Sequence, residues 1–158
     1  MAEERRFGPV HLIPGANRGR YPHSNSVYVE GAGVLIDAGA DAGRYRELLA
    51  GPGVNEVWLS HWHEDHLAYL DLFEGLPLRQ MAAEAGALGG IEAMLDWYGY
   101  EKEEYRDHWR KTLREDFHIR PRRATGGFAP GEVIDLGSCT AEVIHAPGHT
   151  PGFAAFFF

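Results

Sequence analysis

The most reactive stretch of the chain lies at residues 60–66, which read Ser-His-Trp-His-Glu-Asp-His. Three imidazoles and a neighbouring carboxylate fall within it at short spacing: His61, His63, Asp65 and His66. A second cluster lies far downstream, where residues 145–152 read His-Ala-Pro-Gly-His-Thr-Pro-Gly and include His145 and His149. Imidazoles and carboxylates at this density are typical of a metal site, because both donate lone pairs to divalent cations. The two clusters together predict a metal-dependent hydrolase.

The chemistry of hydrolysis explains why a metal would be needed. Cleaving a stable ester, amide or thioester near neutral pH requires a strong nucleophile. A bound divalent metal provides one, since it lowers the pKa of its water from about 15.7 to about 7. A catalytic zinc commonly has three protein ligands and keeps one position for water. Neutral imidazoles suit zinc well, and iron or manganese are the alternatives.

The spacing of the cluster indicates how its side chains are shared out. His61 and His63 are two residues apart, so both side chains point the same way in an extended segment. Asp65 and His66 follow at a predicted helix start, which suits a second metal or the orientation of a water. His149 is the best candidate for the third ligand of the first metal. The glycines and prolines beside it predict a tight turn that presents its side chain.

Regular elements on both sides must position the cluster. The alternating and apolar residues of 26–37 predict a β-hairpin, and Asp41 is predicted to cap a helix that runs to residue 50. Residues 54–60 read as a strand and 65–73 as a helix, which puts the cluster at a strand-to-helix turn. Further strands are expected at 10–14 as a sheet edge, and at 132–136, 140–145 and 153–158.

A helical insertion is predicted at about 79–119. Apolar side chains recur there every fourth residue: Tyr105, Trp109, Leu113 and Phe117. We assign this stripe to core or subunit packing, which leaves a homodimer open. The insertion is expected to roof the substrate pocket. The order of strands and helices predicts a layered α/β architecture with a largely antiparallel sheet.

These segments resemble the metallo-β-lactamase-fold hydrolases, and among them the glyoxalase II-like members. The family signature His-x-His-x-Asp-His is matched at residues 61–66. Asn25, Leu35-Ile-Asp-Ala-Gly39 and Gly148-His-Thr-Pro-Gly152 look like the family too, in the expected order. The resemblance implies an αββα sandwich in one domain over residues 1–158. This chain would supply the first half plus the helical insertion, with the C-terminal half missing.

The resemblance also implies a role for each matching residue. The first metal would be bound by His61, His63 and His149. The second would be bound by Asp65 and His66, with Asp65 as the catalytic residue that also orients the bridging hydroxide. Asp37 would support the loop by hydrogen bonding and would not bind metal.

One part of the family pattern is missing. Dinuclear members have a bridging aspartate and a further histidine after the Gly-His-Thr-Pro-Gly turn, whereas only Phe153–Phe158 follow it here. The second metal then has Asp65 and His66 alone. An apolar strand ending at this point would also expose a sheet edge. The expectation is that the chain is part of a longer protein.

Composition limits the partners and the compartment. The chain has 158 residues, of which 44% are hydrophobic and 24% charged, as in a globular domain. A formal net charge of -8 disfavours nucleic acid or an anionic membrane as partner. The predicted hydrolase implies a small-molecule substrate instead. The single cysteine, Cys139, and the absence of an apolar run at the start predict a cytoplasmic location.

The favoured activity is attack of a metal-bound hydroxide on an ester, thioester or lactone carbonyl, with one or two zinc ions. One alternative keeps the fold but changes the chemistry, namely a mononuclear iron dioxygenase acting on a persulfide. The other alternative is a catalytically incomplete fragment with metal-binding capacity only. Metal analysis separates the first two, and comparison with a longer chain tests the third.

Overall fold

A computed structural model describes residues 3–158, so the first two residues of the predicted domain 1–158 lie outside the described residues. The strands are β1 Arg5–Phe7, β2 Val10–Ile13, β3 Ser26–Val29, β4 Val34–Ile36, β5 Glu56–Trp58, β6 Leu78–Met81, β7 Gly126–Phe128, β8 Val133–Asp135, β9 Thr140–His145 and β10 Ala154–Phe157. The helices are α1 Ala16–Gly19, α2 Ala42–Ala50, α3 Glu64–Leu67, α4 Ile91–Trp97 and α5 Glu103–Glu115. Three 3₁₀ turns lie at Leu70–Phe73, Ala82–Glu84 and Ala87–Gly89.

The larger sheet contains β1 to β7 in sequence order, and its two halves differ in direction. Strands β1 to β4 pair antiparallel, whereas β4 to β7 pair parallel. The largely antiparallel sheet that the sequence predicts is therefore found in only half of it. The smaller sheet, β8 to β10, is antiparallel throughout. The parallel half arises because each connection between β4 and β7 includes helical turns, and such crossovers return the chain in the same direction.

Several predicted elements next to the cluster are confirmed. β3 and β4 form the expected antiparallel hairpin, in which Val27 lies opposite Ile36. Asp41 caps α2, since its carboxylate accepts a hydrogen bond from the backbone N–H of Arg44 at 2.7 Å. β5 ends just before the cluster and α3 begins inside it. The cluster therefore does occupy a strand-to-helix turn.

The helix predicted at residues 65–73 is wrong in its length. α3 ends at Leu67, and a separate 3₁₀ turn follows. The interruption has a tertiary cause: the backbone N–H of Ala38 donates to the carbonyl of His66 at 2.8 Å, and the N–H of Tyr69 donates to Ala38 at 2.9 Å. These bonds to the loop after β4 replace the bonds that would continue a regular helix.

Three other boundaries also differ from prediction. β2 is not a sheet edge, because the polar segment β1 pairs along its outer side. The helical insertion begins at Ala82, since residues 78–81 form β6 and pair in parallel with β5. Gly126 and Gly127 lie in β7, although paired glycines are typical of turns. In each case the element is determined by backbone pairing with another strand, and the local sequence pattern does not reveal that pairing.

The core has two layers, one on each face of the larger sheet. On one face the helices pack over side chains such as Tyr28, Leu35 and Phe73. On the other face the smaller sheet packs over Trp58 and Phe128. The described residues are thus arranged as helices, sheet and second sheet, which agrees with the layered α/β fold predicted. Among residues 3–158, none of the helices combines the length and apolar character that crossing a bilayer takes.

Candidate metal centre

Three histidines from two loops converge at one end of the larger sheet. His61 and His63 lie in the loop after β5, and His149 lies between β9 and β10. One ligand atom from each falls within 4.8 Å of the others, so the three could hold a metal ion. Their ring centroids are 4.4 to 4.8 Å apart. The tertiary structure therefore brings the predicted downstream residue His149 to the motif.

Hydrogen bonding assigns the free nitrogen of His61. The Ser60 hydroxyl donates its proton to Asp37 Oδ2 at 2.6 Å, so its oxygen accepts from His61 Nδ1 at 2.9 Å. The other ring nitrogen, Nε2, then carries a lone pair. This atom is buried and has no hydrogen-bond partner among the described residues. A buried, unpaired lone pair beside two further imidazoles is what a metal ligand requires.

Asp65 and His66 lie next to this group but outside it. The His66 ring centroid is 4.2 Å from that of His61. His66 Nδ1 donates to Asp37 Oδ2 at 2.8 Å, which leaves Nε2 as the available nitrogen, 3.6 Å from Asp65 Oδ2. The two side chains are therefore adjacent and both partly accessible, as a shared ligand pair would need to be.

The electrostatics of the cluster keep its first two imidazoles neutral. Burial, reinforced by the nearby His66, lowers the pKa of His61 to about 3. Burial and then His149 lower the pKa of His63. For His66, burial opposes ionisation, but the hydrogen bond to Asp37 and the negative charges of Asp37, Asp65 and Glu64 together outweigh it and raise the pKa. Burial raises the pKa of Asp65. Neutral His61 and His63 have lone pairs available near neutral pH.

The loop after β4 fixes the position of the cluster from below. Asp37 accepts from the backbone N–H of Ser60 at 2.8 Å in addition to its two side-chain bonds. Ser24 Oγ donates to the carbonyl of Asp65 at 2.8 Å. Gly39 has to lack a side chain, because a Cβ there would lie 1.8 Å from that same carbonyl oxygen and 2.1 Å from Ser24 Oγ. The approach of these loops is therefore specified by side-chain size as well as by hydrogen bonding.

Aromatic side chains from the helical insertion form one wall of the site. Tyr98, just after α4, stacks on His63 with ring centroids 5.7 Å apart and planes 13° apart. Its hydroxyl donates to Glu64, and Tyr21 donates to the same carboxylate at 2.9 Å. Trp62 is buried and packs against Tyr98, with ring centroids 4.6 Å apart. The helical insertion thus directly contacts the loop that carries His61 and His63.

Three side chains beside the cluster were not predicted from the sequence: Glu64, Tyr98 and Glu84, which lies in the 3₁₀ turn after β6 and accepts from the backbone N–H of Trp62 at 3.1 Å. Glu64 and Glu84 are 3% and 0% exposed, although acidic residues are usually on the surface. No local sequence pattern distinguishes a buried carboxylate from an exposed one. His145, the other histidine of the downstream cluster, lies outside the group of three and is within hydrogen-bond distance, 3.0 Å, of the carbonyl of Pro151.

Comparison with known proteins agrees with this geometry. Residues 19–77 match the family model of the metallo-β-lactamase superfamily. A hydroxyacylglutathione hydrolase from Hyphomonas neptunium is 31% identical over 108 residues, which is 66% of this chain and 29% of that protein. The lactamase-like protein ptaB from Pestalotiopsis fici is 23% identical over 157 residues, which is 93% of this chain and 40% of that protein.

The fold agrees as well. The metallo-β-lactamase FEZ-1 from Legionella gormanii superposes with a TM-score of 0.66 at 14% identity, covering 99% of this chain and 59% of that one. The resemblance predicted from the sequence is thereby confirmed: residues 19–77 match the metallo-β-lactamase superfamily model, and the described residues have the metallo-β-lactamase fold. The chain spans less than half the length of either curated relative. The family implies bound metal ions, and the three histidines fit one.

Proposed function

We propose that this chain carries the metal centre of a hydrolase that cleaves an ester, thioester or lactone. The observation that carries the proposal is the convergence of three imidazoles, one of which has a buried and unpaired nitrogen, His61 Nε2. The first metal would be held by His61, His63 and His149. Asp65 and His66 would contribute to a second. A carboxylate-free set of three imidazoles favours zinc over magnesium or calcium.

A metal bound there would activate water and polarise the carbonyl of the substrate. The chain's own residues have separate tasks. Asp65 is the proposed catalytic residue: its Oδ2 would accept the proton of the attacking water and hold that water in line with the carbonyl carbon. Burial raises the pKa of this carboxyl, which brings it closer to that of a useful proton acceptor. Asp37 and Ser60 orient the imidazoles and do not contact the substrate.

A thioester is the substrate class we favour. Hydroxyacylglutathione, for which the relative from Hyphomonas neptunium is named, is an S-acyl thioester. The aromatic wall beside His63, made by Tyr98 and the half-buried Tyr100 and Trp109, offers flat apolar surface to a substrate. Such a surface suits an acyl group with an apolar part.

The test removes the nitrogen that has no partner. His61→Ala should abolish zinc binding and thioester hydrolysis together, because the first metal loses one of three ligands. His108→Ala is the matched control, since His108 is exposed on α5 and lies outside the cluster. Zinc content is measured by elemental analysis, and hydrolysis is followed by thiol release from thioester, lactone and ester substrates.

The outcomes separate the alternatives. Activity retained in His61→Ala contradicts the proposal. Iron in place of zinc, with oxygen uptake on a persulfide, would replace hydrolysis with dioxygenase chemistry. Zinc binding without turnover by the wild-type chain would overturn the hydrolase proposal for residues 1–158 and leave a metal centre only.

A further inference from the structure

Glu84 is a fully buried carboxylate that connects two loops. It lies in the 3₁₀ turn after β6 and is 0% exposed. Its Oε2 accepts from the backbone N–H of Trp62 at 3.1 Å, and its Oε1 accepts from the backbone N–H of Gly152 at 2.5 Å. No lysine, arginine or histidine of residues 3–158 forms an ion pair with it. Both oxygens are therefore bound by backbone alone.

The two N–H groups belong to the two loops that carry the converging histidines. Trp62 stands between His61 and His63, and Gly152 is three residues after His149. One backbone hydrogen bond also joins the same regions, from Ala154 N to the carbonyl of Ser60 at 2.9 Å. Glu84 contacts both loops from a third segment of the chain, so its carboxylate fixes their separation.

The packing around Gly152 supports a specific fit at this point. A Cβ at Gly152 would lie 2.8 Å from both Cγ and Oε1 of Glu84. Glycine is therefore required for the loop to approach the carboxylate so closely. A buried carboxylate also costs desolvation free energy, which a neutral side chain of the same size would avoid. Space filling alone would therefore not favour a carboxylate at this position, whereas its two oxygens can accept from both N–H groups.

We infer that Glu84 is a positioning residue that sets the distance of His149 from His61 and His63, and so preorganises the metal centre. The inference rests on the proposed function, because it assigns those histidines to one metal. Glu84 does not contact the metal or the substrate. It acts through backbone that lies one to three residues from the ligands, as groups that orient metal ligands commonly do.

The test measures metal binding rather than turnover. Glu84→Ala removes both acceptors, and Glu84→Gln keeps the size but places an NH₂ donor opposite one of the two N–H groups. Both variants of the full chain should bind zinc about 10- to 100-fold more weakly in a chelator competition. The visible absorption bands of the cobalt-loaded protein should also change, since they report ligand geometry.

A buried control separates positioning from general loss of stability. Leu113→Ala creates a cavity under α5, where Leu113 is 0% exposed, and removes neither of the hydrogen bonds of Glu84. It should lower thermal stability while leaving zinc affinity and the cobalt spectrum of the folded protein unchanged. A matching loss of zinc affinity in this control would overturn the inference, because the effect would then be one of stability alone.

A double-mutant cycle with Gly152→Ala tests the contact itself. Gly152→Ala should weaken zinc binding in the wild-type background and do so much less in Glu84→Ala, where the atoms that would clash are absent. Strict additivity, or unchanged affinity in the Glu84 variants, overturns this inference alone. Failure of the wild-type chain to bind zinc overturns the proposed function and this inference with it.

Discussion

Asp37 controls which ring nitrogen of two histidines carries the proton. It accepts directly from His66 Nδ1, and through Ser60 it orients the hydroxyl that accepts from His61 Nδ1. In the neutral form of either ring, Nε2 is then the nitrogen that keeps the lone pair. One carboxylate at the end of β4 is thereby hydrogen-bonded, directly or through Ser60, to the Nδ1 side of two imidazoles, which supports the proposed role of Asp37 as a residue that orients metal ligands.

Asp37→Asn should disturb this arrangement without straining the backbone. Asp37 has φ of 57°, in the left-handed region that asparagine also tolerates. The new NH₂ group would donate where a carboxylate accepted, and would favour the tautomers in which Nε2 is protonated. We expect zinc affinity to fall about 10- to 100-fold.

The measurement is zinc affinity, together with the ring tautomers read from nitrogen chemical shifts. Asp41→Asn is the control, because asparagine caps a helix about as well as aspartate and α2 lies outside the cluster. Equal zinc affinity in the wild type and Asp37→Asn would show that Asp37 does not set the tautomers.

At the scale of elements, the α4 and α5 pair places Tyr98 against His63. Charged side chains connect the two helices on their exposed side. Glu92 of α4 accepts hydrogen bonds from Arg106 at 2.9 Å and from Arg110 at 2.6 Å, both on α5. The hydrogen bonds from Arg110 and then Arg106 lower the pKa of Glu92 to about 2. The pairing thus ties the two helices together on the side away from the core.

This pairing predicts an acid-dependent loss of stability in the helical insertion. A depressed carboxyl pKa stabilises the fold fully above the ordinary value of 4.5, and that contribution is lost as the pH falls toward about 2. The denaturation midpoint of the wild type should therefore drop over this window by more than that of Glu92→Gln. The effect is small because Glu92 is 59% exposed.

Urea titrations at pH values from neutral to 2.5, followed by circular dichroism, measure the difference. Glu101→Gln is the control, since Glu101 is exposed and forms no ion pair within residues 3–158. Parallel acid limbs for the wild type and Glu92→Gln would contradict the prediction.

In the molecule as a whole, the convergence of the three histidines depends on how the two sheets stack. His149 is carried by the smaller sheet, whereas His61 and His63 follow a strand of the larger one. Trp58 is 0% exposed at the interface between the sheets. Its ring centroid is 5.2 Å from that of Phe128 and 5.3 Å from that of Phe156. The sheet interface therefore helps to position the loop of His149, the proposed third ligand.

Trp58→Ala should lower the free energy of unfolding by about 3–5 kcal/mol, because it leaves a cavity between the sheets. It should also reduce the stabilisation that zinc confers on the folded chain, since the His149 loop loses its support. Trp97→Ala is the control and should cost far less, as Trp97 is 39% exposed. Urea unfolding with and without zinc gives both quantities. An unchanged zinc-dependent stabilisation in Trp58→Ala would separate the sheet interface from the metal centre.

Local sequence was enough to predict the motif and its immediate frame. The spacing of residues 61–66, the hairpin before it and the Asp41 cap all depend on residues within a few positions of one another. Such patterns follow directly from the geometry of strands and helix ends. His149 was also predicted, because glycine and proline mark its turn locally.

The tertiary structure alone decided what surrounds that motif. The hydrogen bond from Gly152 to Glu84 joins positions 68 residues apart, and that from Tyr98 to Glu64 joins positions 34 apart. Residues 78–81 form a strand because they pair with β5. The helix predicted at residues 65–73 is interrupted because its backbone forms hydrogen bonds to Ala38. The physical reason is common to all of these. A buried carboxylate or a parallel strand is specified by its partner, and no periodicity within either segment identifies that partner.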